Sequence, residues 1–180
     1  MNKAWQHFKT ITYHKYLVAK GCFKVGLYKQ GLLHDMSKYS PTEFKVGMRY
    51  YQGNRSPNNA EREVLGYSNA WLHHKGRNKH HYEYWNDYCY QDGKVSIGPV
   101  PMPNSYIAEM IMDRIAASKV YMGNAYTDAS PLDYYLLGTA NEKFIHAETR
   151  VVLERMLKML AEEGEKKTFV AIKKELLSKK

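Results

Sequence analysis

Only two of the 180 residues are cysteines, Cys22 and Cys89. Two thiols build no disulfide framework, and they read as reduced thiols of a cytoplasmic protein. Long apolar runs are missing as well: no segment comes near the ~20 apolar residues of a membrane span. The opening "MNKAWQHFKTITYHKY" is polar and aromatic and lacks the apolar stretch of a secretory leader. A soluble, cytoplasmic protein with no membrane contact is therefore expected. Internal repeats and low-complexity segments are absent too. A single domain over 1–180 follows, long enough to bury a core without covalent staples.

Basic charge and tyrosine are plentiful. The chain carries a formal net charge of +9 and 16 tyrosines. A positive balance favours anionic partners such as phosphates, nucleotides or nucleic acid. Much of the excess lies in "HHKGRNKHH" and in the C-terminal "EKKTFVAIKKELLSKK". The tail also suits a solvated helix face.

Hydrophobic spacing is helical almost throughout, which predicts an all-α fold. Over residues 4–28, His14, Val18, Cys22 and Val25 recur on one helical face. "SPTE" at 40–43 reads as a helix start, with Ser40 as cap, Pro41 in the first turn and Glu43 closing a capping box. "GNRSPNNA" is a loop by composition. Residues 60–75 are predicted as one helix with Val64, Tyr67, Trp71 and His74 on its stripe, and "KHHYEYW" as a second short helix. Residues 91–104, with two glycines and three prolines, are predicted as a long loop folding over one side of a pocket, with "KVSI" the only candidate strand. A helix follows from Asn104 to about Gly123, another from Ser130-Pro131, then "HAETRVVLERMLKMLAEEG" and "KTFVAIKKELL". His146, before a helix start at Ala147, reads as structural, and His7 carries no functional signal.

Three of these helices place one ionisable residue on an apolar face: His14, His74 and Asp113. His34-Asp35 ends a fourth apolar segment, in "GLLHDMSKYSPTEF". A buried histidine is commonly a hydrogen-bonded core residue. A buried carboxylate costs several kcal/mol unless it is paired. One bound divalent cation satisfies all of these groups together.

The order His14, "HD" at 34–35, the histidines of "HHKGRNKHH" and Asp113 in "EMIMDRIAAS" resembles the HD-domain superfamily of metal-dependent phosphohydrolases. "LLHDMSKYSP" is similar to an HDxxK form of its motif. The resemblance covers residues 14 to about 120. It implies an HD-like helical core over about 5–123 and a C-terminal helical extension over 130–180. Within that core His14, His34, Asp35 and Asp113 would bind a divalent transition metal (Mn, Fe, Co, Ni or Zn). The doublet His73-His74 would supply a second ion where two are bound. Lys38 and His74 would act on the transferred phosphoryl group, with Arg77 toward the substrate. Asn78, His80 and His81 have no clear counterpart in the family and are placed with the substrate-binding residues.

The interval from His14 to His34 is only 20 residues, short for two helices and a turn. Lys38 stands where many nucleotidase members carry a glutamate. The function expected is hydrolysis of a nucleotide or other phosphomonoester by a metal-activated water, with Trp85 and tyrosines stacking on a base. The alternatives are a dinuclear iron oxygenase of the same fold and a non-enzymatic, basic nucleic-acid-binding protein. The second of these predicts steep salt dependence.

Overall fold

The computed structural model describes residues 2–138 and 143–178. These form eight α-helices and one antiparallel hairpin: α1 (Lys3–Val25), α2 (Tyr28–Leu33), α3 (Pro41–Tyr50), α4 (Pro57–Leu65), α5 (Asn69–Lys75), β1 (Asn86–Gln91), β2 (Lys94–Pro99), α6 (Asn104–Met122), α7 (Ser130–Leu137) and α8 (Ala147–Ala171). The fold is all-α apart from the hairpin, as the periodicity predicts.

Asn2 caps α1 by accepting the Ala4 N–H, and Gly26 ends the helix in the left-handed conformation at φ 93°. The chain turns back at once into α2. A Cβ on Gly31 would lie 2.9 Å from Cβ of Cys22 and 3.2 Å from Cα of Ala19. Only glycine lets α2 lie this close along α1. That close return is how 20 residues separate His14 from His34.

Helix α6 is buried on nearly every side and forms the centre. Its Ile107, Ile111, Met112 and Ile115 pack with Val18, Cys22 and Val25 of α1 and with Leu153, Met156, Leu157 and Leu160 of α8. The buried stripe of α1 begins with His7, Ile11 and His14 before reaching those apolar residues. One helix therefore runs from the polar end of the domain into its core. Helix α8 breaks at Gly164 (φ 79°, ψ 172°) and ends in a wide turn over Ile172–Leu176. His146 caps α8 by accepting the Glu148 N–H, a structural role.

Several local expectations need correction. Residues 60–75 are not one helix: Gly66, at φ 80°, stops α4, and Ser68 caps α5 by accepting the Trp71 N–H. Val64 and Tyr67 are consequently exposed, while His74 is buried. "KHHYEYW" holds no α-helix, only a 3-10 turn over Tyr82–Tyr84. Residues 91–104 are not a long loop. Asp92 (φ 50°) and Gly93 (φ 77°) make the tight turn of the hairpin. Tyr88 pairs with Ile97 and Tyr90 with Val95. All four side chains are exposed, 65–76% for each, so this apolar face does not fold over a pocket. The remaining connection is short and anchored, with Met102 buried and its N–H donated to Thr149 Oγ1 at 3.0 Å.

Candidate metal centre

Four separate segments deliver side chains to one buried cluster. α1 brings His14, one turn before Val18. The end of α2 brings His34 and Asp35. Lys15 donates its ammonium to the carbonyls of Leu32 at 2.6 Å and His34 at 2.8 Å, satisfying the free end of that short helix. Asp35 then adopts a left-handed conformation, φ 54° and ψ 27°. Aspartate tolerates that region better than most residues, but it remains an uncommon conformation of the kind that collects at functional sites. It turns the carboxylate inward, where Asp35 is 1% exposed. α6 contributes Glu109 and Asp113, four residues apart and so on one face. α5 contributes His74, and the irregular chain after it contributes His80 and His81.

The two oxygens of Asp35 face different histidines. Oδ2 lies 3.5 Å from Nε2 of His14 and 3.2 Å from Nε2 of His34. Oδ1 lies 3.3 Å from Nε2 of His74 and 3.4 Å from Nε2 of His80. Asp113 completes the first side, with its Oδ1 3.0 Å from Nε2 of His14 and 3.5 Å from Nε2 of His34. Two groups result, each with donor atoms within 4.8 Å of one another: His14, His34, Asp35 and Asp113; and Asp35, His74, His80 and His81.

Behind the inward nitrogens stands a layer of glutamates. Glu109 Oε1 accepts from Nδ1 of His34 at 2.9 Å and lies 3.2 Å from Nδ1 of His80. Glu43 accepts from Nδ1 of His74 at 2.8 Å and from Nδ1 of His73 at 2.7 Å. An ionised carboxylate only accepts, so each Nδ1 carries the hydrogen and, in the neutral ring, Nε2 keeps its lone pair. A metal-binding histidine is oriented in this way by a carboxylate behind it. His34, His80 and Glu109 also form a third cluster of donor atoms. Its hydrogen-bonded Nδ1 atoms make Glu109 an orienting group there.

The inward atoms lack aligned hydrogen bonds, although the Lys38 ammonium stands against Oδ2 of Asp35. Among the described residues, Nε2 of His14, His34, His80 and His81 and both oxygens of Asp35 are buried without an aligned hydrogen-bond partner. Donors held ~2.0–2.2 Å from one ion sit ~2.8–3.6 Å apart, from octahedral to tetrahedral edge. The observed separations of 3.0–3.5 Å fall in that interval. The buried His, Asp and Glu groups can thus hold a metal ion.

Electrostatics divide the cluster: against burial, Asp35 raises both His34 and His74 above the ordinary histidine value, so in the metal-free protein these two rings favour the charged form. Burial opposes ionisation of Asp35, yet His34, Lys38 and His74 hold its carboxyl well below the usual range. Burial likewise opposes ionisation of Asp113, and the imidazoles of His14 and His34 beside it hold it low. Glu109, against burial, is brought down to about 2 by His34 and His80. Burial and the neighbouring His34 lower His80, and burial with His80 and His74 lowers His81 further. Those two rings are kept neutral, the form that binds metal.

Residues 3–159 match the family of unknown function DUF5662. The chain belongs to that family. No curated protein and no solved structure matches the chain. Every donor from His14 to Asp113 lies inside the stretch shared with DUF5662.

In this DUF5662 member the site residues expected from sequence are partly regrouped. His14, His34, Asp35 and Asp113 come together in one donor group. Among the described residues His73 stands in none of the donor groups; its Nδ1 is held by Glu43, the carboxylate that also holds His74. His74 and His81, expected to act on the phosphoryl group and on substrate, both stand among the donors, as does His80. Asn78 is buried and structural, donating to Ser37 Oγ and to the carbonyl of His74, each at 2.8 Å. Arg77 is exposed, with Nη1 3.3 Å from the His73 carbonyl. Lys38 reaches the cluster, its ammonium 2.5 Å from Asp35 Oδ2. Glu43, Glu109 and Lys15 were not expected at the site. Glu43 does not close a capping box; Ser40 accepts the Glu43 N–H at 3.4 Å while the carboxylate turns to the histidines.

Proposed function

We propose that the protein is a metal-dependent phosphohydrolase of HD type acting on a nucleotide or another phosphomonoester. The observation that carries this reading is the two-sided carboxylate of Asp35, buried, with one oxygen toward His14 and His34 and the other toward His74 and His80. A carboxylate placed between two imidazole-rich groups suits two transition-metal ions of the Mn, Fe, Co, Ni or Zn type. Bound there, such ions supply positive charge for phosphoryl oxygens and acidify a water from a pKa of ~15.7 to ~7.

The remaining work falls to the chain. Glu43 and Glu109 fix the imidazoles. Asp35 and Asp113 provide the negative charge that draws cations inward. Lys38, partly exposed and paired with Asp35, can turn its ammonium to a substrate oxygen and offset charge that grows in the transition state. Arg77, exposed at the end of α5, is available to a more distant phosphate.

The test is elemental analysis of the purified protein, followed by a screen of nucleotides and phosphomonoesters with the metals found. Two transition-metal ions per chain and metal-dependent phosphate release are expected. Protein that takes up no transition metal and releases no phosphate sinks the reading.

A dinuclear iron oxygenase on the same scaffold is the second reading. It is favoured by the engagement of both supporting glutamates: Glu43 and Glu109 are each occupied by histidine Nδ1 atoms, leaving neither free as a general base for water. Anaerobic purification, iron analysis and an optical spectrum separate the two. Iron with a redox-sensitive visible band and no phosphatase activity favours the oxygenase.

A further inference from the structure

Glu109 sits behind both ion positions at once. It is buried, on α6, one turn before Asp113. Its Oε1 lies 2.9 Å from Nδ1 of His34 and 3.2 Å from Nδ1 of His80. These two imidazoles face different sides of Asp35. His34 turns Nε2 to Oδ2 at 3.2 Å and His80 turns Nε2 to Oδ1 at 3.4 Å. Their ring centroids are 4.3 Å apart, so neither ring rotates freely without the other. The second oxygen is fixed as well: Gln30 donates from Nε2 to Oε2 at 3.0 Å and to the Ser105 carbonyl at 3.1 Å. Gln30 thus limits Glu109 to motions in which Oε1 stays between the two histidines.

We infer that Glu109 is a positioning residue that couples the loading of the two ions. An ion on the His14, His34, Asp35 and Asp113 side fixes the His34 ring. The fixed ring holds Glu109 Oε1, and that oxygen holds His80 with its Nε2 already aimed at the second position. Ordering the second set of ligands then costs less once the first ion is in place, which is positive cooperativity through preorganisation. Repulsion between the two cations acts in the opposite direction, and the shared carboxylate of Asp35 screens it.

The inference rests on the two-ion reading of the site, and the experiment separates them. Metal-free protein is titrated with Mn²⁺ and with Zn²⁺, following stoichiometry and binding by calorimetry and elemental analysis, for the parent, Glu109→Gln and Glu109→Ala. The parent should bind two ions in a steep titration with little singly loaded protein. Glu109→Ala should still bind two ions, but in separate, non-cooperative steps and with affinity lower by roughly 10–100-fold, the usual effect of losing an outer-shell partner. Glu109→Gln keeps an acceptor oxygen of the same reach and should restore part of the steepness. Circular dichroism on each variant shows whether the helices are kept. If Glu109→Ala binds two ions as steeply as the parent, Glu109 does not couple them and the inference fails alone. If the parent binds one ion or none, the two-ion reading fails and the coupling falls with it. If Glu109→Ala loses its helical fold, the Glu109→Gln titration decides: steepness equal to or above that of the parent at lower affinity overturns the inference, and reduced steepness supports it.

Discussion

The ammonium of Lys38 lies 2.5 Å from Oδ2 of Asp35, the same oxygen that faces His14 and His34. Burial would lower the Lys38 pKa, but Asp35 and Asp113 more than compensate and raise it above its ordinary value. The chain therefore supplies its own cation to a carboxylate of the candidate metal centre. Replacing Lys38 with Met should destabilise the metal-free protein more than the metal-loaded one, measured by urea denaturation with and without chelator. In the loaded protein, inhibition by inorganic phosphate should weaken by ~1–3 kcal/mol, the scale of a charge-assisted contact. Equal destabilisation of both forms would place Lys38 in the fold alone.

Asp35→Asn keeps the size of the side chain and a residue type that accepts the left-handed backbone at φ 54°. It removes the charge shared by both donor groups. Metal content should fall at both positions while the helical circular dichroism spectrum is retained. Asp35→Ala should lose metal equally and carry an added backbone penalty of ~1–2 kcal/mol. Full metal content in either variant contradicts the site.

His7 is held at about 4, below its ordinary 6.5, first by burial and then by the charge of Lys38. The unfolded chain takes up this proton below pH 6.5 and the folded one resists it down to about 4. The stability contributed by neutral His7 is present above that window and is lost as pH falls through it. His7→Gln removes the effect, so the stability difference between parent and variant should shrink on going from pH 7 to pH 4. A constant difference across that range would show that His7 takes up its proton in the fold as it does in the unfolded chain.

Gly47 explains how His7 is accommodated. A Cβ at position 47 would lie 2.0 Å from Nε2 of His7, so Gly47→Ala should destabilise by ~1–3 kcal/mol. Combining it with His7→Ala should recover part of that loss, read as coupling in a double-mutant cycle. Simple additivity would mean that the ring moves aside without cost.

The two thiols should differ sharply. Burial, with Glu109 and Asp113 nearby, pushes the Cys22 thiol up to about 12, whereas Cys89 is only partly buried on the hairpin. A chromogenic thiol reagent at neutral pH should titrate one thiol in native protein and a second only after unfolding. Rapid reaction of both would show that α1 opens far more readily than its packing implies.

The sequence discloses this site unevenly, for physical reasons. His14 and Asp113 stand out because they interrupt apolar stripes of long helices, where spacing predicts facing. His34 and Asp35 stand out because they end such a segment. His80 and His81 lie in irregular chain, where no period indicates direction, so their grouping with Asp35 was not legible. Ser40 and Glu43 match a local helix-start signature, which hides that the Glu43 carboxylate serves histidines 30 and 31 residues away. Glu109 could have been found: the rarity of a buried carboxylate, which singled out Asp113, applies equally one turn earlier on α6. The hairpin was legible too. Asp92-Gly93 lies between the alternating Tyr88 and Tyr90 and the alternating Val95 and Ile97, but the following prolines drew the reading toward a loop.

Helix α1 carries a candidate ligand and core residues on one unbroken stripe, from His7 through Ile11 and His14 to Val18, Cys22 and Val25. The two ends are therefore locked in phase like marks on a single screw. Removing one residue between His14 and Val18 rotates one end against the other by ~100°, and either the ligand or the core must leave its place. Spelling can drift on the outer side of that interval at little cost, but its length cannot change. Within the family, insertions and deletions should avoid this stretch even where the letters between the two residues vary.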